Sequence, residues 1–182
     1  MTETHDAPPF SLAGPTNDER YLILMRHAKS DWGDASLSDH DRPLNARGKR
    51  DAPRMAKWLS EVGIVPDRIL SSTSERTRET VGLMTLEWNR QPSIEWEESL
   101  YLAAPDKILS NVGMRGGAAH RLMVVAHNPG MSYLASALAG ESRDMPTAAI
   151  AIFRTTQMEC DWAEVISESQ FEVVQFMRPK GL

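Results

Sequence analysis

Two histidines and three arginines carry the chemistry that this chain offers. Arg26-His27 directly follows the apolar run Tyr21-Leu22-Ile23-Leu24-Met25, and His127 ends a second run, Leu122-Met123-Val124-Val125-Ala126. Arg76 falls in the first turn of a helical stretch, where free backbone amides and the positive end of the helix dipole reinforce its pull on an anion. Arg42 lies in Asp41-Arg42-Pro43-Leu44, where Pro43 restricts the backbone before it. Each is unremarkable alone: a His after a strand is most often a surface or hydrogen-bonded residue, and Arg78, about 200° around the helix from Arg76, reads as a solvated one. Together they suit a tetrahedral dianion, because guanidinium forks match phosphate oxygens where Lys acts as a point charge. One imidazole can attack phosphorus while the other donates a hydrogen bond to a developing oxyanion. This is phosphoryl transfer with neither metal nor cofactor, since His5, His27, His40, His120 and His127 form no short ligand motif. The nearby guanidiniums predict a His27 pKa below the ordinary value of about 6.5.

The elements that must position these residues are legible. Five consecutive apolar residues at 21–25 read as a strand buried on both faces, and 122–126 as another. The polar stretch from Arg26 to Leu44 is long for a plain connection, as functional loops often are. Ala52, Met55, Ala56, Leu59 and Val62 share a helical face that stops at Gly63, although Pro53 predicts a late start or a bend. A strand over 67–71 precedes hydroxyls at 72–74 suited to capping a helix that carries Thr77, Val81, Met84 and Trp88. A weak strand at 93–96, a helix over 105–114 and a helix opened by Asn128-Pro129 and stopped by Gly140 come next. Segments 149–153, 162–166 and 171–176 read as closing strands. Strand–helix alternation predicts a three-layer α/β/α fold with a largely parallel central sheet, the last strands pairing antiparallel. Ligands gather beyond the carboxyl ends of such strands, which is where Arg26, His27, Arg76 and His127 fall.

Composition narrows the classes. A chain of 182 residues predicts one domain over 20–182, after a loosely attached tail at 1–19 that contains Pro8, Pro9 and Pro15. The formal charge of −5 has the wrong sign for general attraction to nucleic acid or anionic lipid. Any anion site is therefore a local basic cluster. No apolar run approaches the roughly 20 residues of a membrane span, and the single cysteine, Cys160, fits a reducing compartment. A cytoplasmic location is the expectation; oligomeric state is not legible.

Four segments in order resemble the histidine phosphatase superfamily, with its phosphoglycerate mutase-like fold, and more narrowly its SixA-type phosphohistidine phosphatases. They are Met25-Arg26-His27-Ala28, Arg42-Pro43-Leu44-Asn45-Ala46-Arg47-Gly48, Ser72-Thr73-Ser74-Glu75-Arg76-Thr77-Arg78-Glu79-Thr80 and Val124-Val125-Ala126-His127-Asn128-Pro129-Gly130. Met145-Pro146-Thr147 also looks like the small branch. Ala28, Thr73 and Glu79 stand where the family has Gly, Pro and Gln. The resemblance implies that His27 is the nucleophile, that Arg26, Arg42 and Arg76 clamp phosphate, and that His127 stabilises the transferring group. It implies dephosphorylation of phosphohistidine in a signalling or phosphotransfer protein. Ester-cleaving members use a carboxylic acid to protonate the leaving alkoxide. Glu98 is the candidate for that role, beside Glu97 and the loop residues Asp31, Asp34 and Asp39, all of which also read as solvated carboxylates. The alternatives are therefore a small phosphate-ester phosphatase using Glu98, and an inactive phosphate-binding module. Lys29, Ser30 and Trp32 either touch substrate or order the loop. Trp58 and Trp88 read as core.

Overall fold

The computed structural model describes residues 19–155, 161–168 and 171–182. Residues 1–18 of the expected tail, and Cys160, lie outside the described residues. The elements are β1 (Arg20–Arg26), α1 (Ala46–Glu61), β2 (Arg68–Ser72), α2 (Glu75–Thr85), β3 (Ser93–Glu97), a 3-10 turn (Glu98–Leu100), α3 (Pro105–Arg115), β4 (Arg121–Ala126), α4 (Gly130–Ala139), β5 (Ile150–Thr155), α5 (Trp162–Glu168), β6 (Glu172–Met177) and a 3-10 turn at Pro179–Gly181. The sheet order is β3-β2-β4-β1-β5-β6. β1, β2, β3 and β4 pair in parallel, while β5 runs antiparallel to β1 and β6 antiparallel to β5.

The apolar run of β1 explains the layering. Tyr21, Ile23 and Met25 point into a core with Met55, Leu59, Val81 and Met84 of α1 and α2. Leu22 and Leu24 point the other way, against Ile108, Leu134, Trp162 and Val165 of α3, α4 and α5. A period of two with both faces covered places the strand at the centre of three layers. Trp58 and Trp88 are buried in the first core, and the Trp88 indole donates to the Ala56 carbonyl at 3.0 Å.

Two local expectations are corrected and a third, the late start of α1 at Pro53, is removed. α1 starts at Ala46 and runs through Pro53. The Asn45 side chain accepts from the Gly48 amide at 2.9 Å and fixes that start, and the buried face holds the helix together past the one amide that Pro53 lacks. Segment 162–166 belongs to a helix, not a strand: the Asp161 carboxylate accepts from the amides of Ala163 and Glu164, and Trp162 and Val165 enter the core at helical spacing. Pro129 precedes α4 instead of opening it, and Asn128 Oδ1 accepts from the Ser132 amide at 3.2 Å.

Candidate active site

Parallel register creates the site. Arg26 of β1 lies opposite Ala126 of β4, and Ser71 of β2 opposite Val125, so the chain leaves three adjacent strands at one edge. The next residues out are His27 and His127, whose ring centroids are 5.0 Å apart and tilted by 54°. The His27 amide donates to the Ala126 carbonyl at 3.1 Å, which ties the two strand ends together. Ser72 ends β2 within 2.8 Å of His127 Nε2. Arg76, in the first turn of α2, brings Nη2 to 3.2 Å from His127 Nδ1.

These contacts fix the protons. Ala28 O can only accept, so the His27 Nδ1 that approaches it at 2.7 Å carries the hydrogen and Nε2 keeps its lone pair. Arg76 can only donate, so His127 Nδ1 accepts and its Nε2–H donates to Ser72 Oγ. Burial, followed by the Arg76 and Arg26 charges and opposed by the Ala28 hydrogen bond, lowers the His27 pKa to about 4. His127 is lowered to about 2 by burial, then by His27 and Arg76. The direction for His27 is the one the sequence implies, but desolvation is the larger cause and the guanidiniums come second. Both rings are neutral at pH 7, and His27 is a free base with Nε2 unprotonated.

The cavity at this edge measures about 260 Å³ and is lined by Arg26, His27, Arg76 and His127, together with Lys29, Ser30, Trp32 and Asp39. Arg26 Nη1 donates to the Met145 carbonyl at 2.9 Å, which orients its fork. Four of the five expected phosphate-site residues thus meet in one cavity. Arg42 does not line it: its guanidinium lies 4.2 Å from the Trp32 ring centroid and its Nε 3.9 Å from Asp39 Oδ1. The physical reason is the loop's own acid. The Asp39 carboxylate accepts from Arg76 Nη2 at 3.0 Å and from the Tyr101 hydroxyl at 2.6 Å, and the Asp39 carbonyl accepts from Arg76 Nη1. An internal anion therefore stands where Arg42 and Arg76 converge.

Glu98 is exposed at the start of the 3-10 turn and does not line the cavity. Glu97 pairs with Arg115 at 2.9 Å, Asp31 caps the Gly33 amide, and Asp34 bonds Ser36. Asp39 is the one carboxylate among the described residues of the lining, and at neutral pH it is ionised and holds no proton to donate. The Tyr101 hydroxyl first, then Arg76 and Arg42, hold it below the usual carboxylate range against the effect of burial.

The contacts of the supporting residues are not apparent from the sequence. The Tyr101 ring stands edge-on to His127 at 5.3 Å and to His40 at 5.0 Å. Thr80 Oγ1 accepts from the Ala28 amide at 3.1 Å and donates to the Arg76 carbonyl, joining the segment after His27 to α2. Glu79 accepts from the Leu44 amide, a task that Gln also performs, which explains its tolerance there. A Cβ on Gly48 would lie 2.3 Å from the Lys29 carbonyl, so the start of α1 needs glycine to approach the loop. The helix-capping role expected of the hydroxyls at 72–74 is not seen: Ser74 precedes α2, but its Oγ meets Thr77 Oγ1 at 3.0 Å and Ser72 is turned to His127. Only the strand order reveals that pairing.

The family model of the histidine phosphatase superfamily (branch 1) matches residues 22–100. An uncharacterized chloroplastic protein of Arabidopsis thaliana is 36% identical over 154 residues, covering 80% of this chain and 71% of that one. An uncharacterized protein of Mycobacterium tuberculosis is 34% identical over 152 residues, covering 78% and 91%. Among solved structures, a protein assigned as the phosphohistidine phosphatase SixA of Nakamurella multipartitia superposes with a TM-score of 0.76 at 26% identity, covering 88% of this chain and 96% of that one.

Proposed function

Because the chain belongs to the histidine phosphatase superfamily, we propose that it is a phosphatase that hydrolyses phosphohistidine in a protein through a phosphorylated His27. The superfamily and the SixA-like fold support phosphatase activity, and the geometry favours the nitrogen-linked substrate. The phosphoryl group enters the cavity against Arg26 and Arg76. His27 Nε2 supplies the electron pair, a new P–N bond forms, and the substrate's P–N bond breaks as its imidazole departs and takes up a proton from water. The Nδ1–H bond to Ala28 holds the ring and eases the charge that the phosphorylated imidazole acquires. Water then attacks phosphorus, releases inorganic phosphate and restores the Nε2 lone pair. His127 needs no second proton for its part: its Nε2–H, held on Ser72 Oγ in the free protein, is the hydrogen it offers to the transferring oxygens, while Nδ1 stays on Arg76.

The observation that carries this reading is the character of Asp39. Imidazole is a far better leaving group than an alkoxide and needs no dedicated acid, whereas an ester does. The cavity presents a carboxylate held ionised, and Glu98 stands outside it. Rapid quench of the protein with a radiolabelled phosphohistidine protein is expected to trap an acid-labile, base-stable phosphoenzyme that is absent in His27→Ala. Glu98→Gln is expected to leave turnover of both phosphoramidates and esters unchanged. Efficient ester cleavage that collapses in Glu98→Gln reverses the assignment in favour of an ester phosphatase, and phosphate binding with no turnover of either substrate leaves a binding module.

A further inference from the structure

Beside the phosphoryl cavity lies a second one of about 390 Å³, and the two share Arg26, Lys29 and Thr147. Its charged lining is Arg26, Lys29, Arg47, Arg178 and Lys180 against a single carboxylate, Asp144. In a chain with a formal charge of −5, that is a strong local reversal of sign. Arg47 is committed to Asp51 at 3.2 Å, and Asp144 accepts from Ser132 Oγ at 3.2 Å. The side chains of Lys29, Arg178 and Lys180 have no hydrogen bond or ion pair among the described residues. Distant segments bring these cations together: the loop after β1, the start of α1 and the C-terminal 3-10 turn, which is anchored by buried Pro179 and by an Arg54 bond to the Leu182 carbonyl at 3.1 Å. Gathering unpaired like charges around one concavity costs electrostatic energy that an anion recovers.

We propose that this cavity is an anion subsite taking a second acidic group, a carboxylate or a phosphate, of the same substrate whose phosphoryl group lies against His27. The inference rests on the phosphatase reading for the identity of the first group, while the second site stands on its own lining. Arg26 is the hinge of the arrangement. Nη1 is pinned to Met145, and the residue faces both cavities, so a substrate with two acidic groups spans it. Lys and exposed Arg suit a carboxylate or phosphate arriving in varied orientations, unlike the buried fork of Arg76. Because the second group is tethered to the first, it binds at high effective concentration even where its own affinity is weak.

The test titrates the full chain with two pairs of probes. One pair is a labelled peptide carrying a non-hydrolysable phosphonate analogue of phosphohistidine, flanked by glutamates or by alanines. The other is butane-1,4-bisphosphonate against butylphosphonate. In at least one pair the doubly acidic probe is expected to bind about tenfold more tightly at low salt, with the preference shrinking as salt rises. In Arg178→Glu/Lys180→Glu that ratio should fall to near one; both positions are exposed, so the fold is not at stake. A preference seen with the peptides places the second anion on a polypeptide, and one seen with the bisphosphonate places it on a small molecule. Equal binding within both pairs, or a ratio unchanged in the double variant, overturns the subsite. Absence of turnover with the preference intact instead sinks the phosphatase reading and leaves the subsite standing.

Discussion

The site has two halves built in different ways. On the strand side, His27, Arg76 and His127 are 7%, 4% and 1% exposed, and each imidazole is held by strand register and by a hydrogen bond to a group that can play only one role, the Ala28 carbonyl or the Arg76 guanidinium. On the loop side, Trp32 is 64% exposed and the Asp39 side chain 43% exposed. That loop is closed at its neck by the Ser30–Leu44 bridge, the Asp31 amide on the Pro43 carbonyl at 2.7 Å and the Asn45 amide on the Lys29 carbonyl at 3.0 Å. Beyond the neck it touches the strand side through Asp39, which meets Arg76 and Tyr101, and through His40, whose Nε2 lies 3.0 Å from Thr73 Oγ1 and whose carbonyl accepts from the Glu75 amide at 3.0 Å. On the proposed phosphatase reading, the difference gives reaction chemistry to the rigid half and access to the other, since groups that must meet a transition state within fractions of an ångström need fixed supports.

The strongest way to break that division is to remove the proposed nucleophile. His27→Ala is expected to lower phosphohistidine turnover by at least about four orders of magnitude, the scale seen when a covalent nucleophile is deleted. Steady-state hydrolysis measures it. Retention of a tenth of the activity would move the chemistry elsewhere in the cavity. Arg76→Lys comes next. The charge survives, but the fork that reaches both His127 and Asp39 does not, so a loss of about 100-fold to 1,000-fold is expected, mostly in kcat. A loss confined to KM would make Arg76 a docking residue.

Stability tests the strand side without substrate. A His whose folded pKa lies below its unfolded value binds protons preferentially in the unfolded chain, so its stabilising share is complete above about pH 6.5 and declines as pH falls. For His27 the decline ends near the folded value of about 4. The drop should be on the order of 2–3 kcal/mol, most of it between pH 6.5 and 4, from His27 alone. Asp39, whose folded pKa is also depressed, contributes in the same direction but in a lower window, as pH falls below about 3.9. Urea unfolding at pH 7, 5.5 and 4.5 should therefore show a steeper slope for the native chain than for His27→Asn. Equal slopes would mean that His27 titrates normally.

The rigid half was also the legible half. Runs such as 21–25 and 122–126 announce buried strands, and residues at the carboxyl ends of such strands in an α/β layer fold are positioned for ligands; Arg26, His27 and His127 needed little more than that. Arg76 was legible because a helix start has its own anion preference. Arg42 was legible only as far as its loop, because its place along the chain does not set the direction of a side chain that packs on Trp32 and lies near Asp39. Ser72 and Tyr101 were invisible for a related reason: their contacts with His127 and Asp39 join separate elements, and local spacing says nothing about either. Segment 162–166 failed because five residues with an apolar pattern fit either period, and the Asp161 cap decided for the helix.

Asp39 sharpens the comparison with the smallest effect. Its carboxylate occupies the Arg76 fork that the proposed reaction gives to the phosphoryl group, and on that reading an incoming dianion displaces it or shares the guanidinium with a like charge. Asp39→Asn keeps the size and a hydrogen-bond acceptor for Tyr101 while removing the charge. The expected result is tighter binding of inorganic phosphate and vanadate, by about twofold to fivefold, the range of a partly exposed ion pair. Turnover of phosphohistidine should change by a similarly small factor. Were Asp39 the proton donor to a leaving group, the same substitution would instead abolish ester cleavage and leave vanadate affinity where it was, because an acid acts on the departing atom and not on the clamp. Calorimetric titration of vanadate into the two proteins separates these outcomes: a carboxylate that competes with substrate for Arg76 weakens the anion's hold in the native chain, and one that serves as an acid does not.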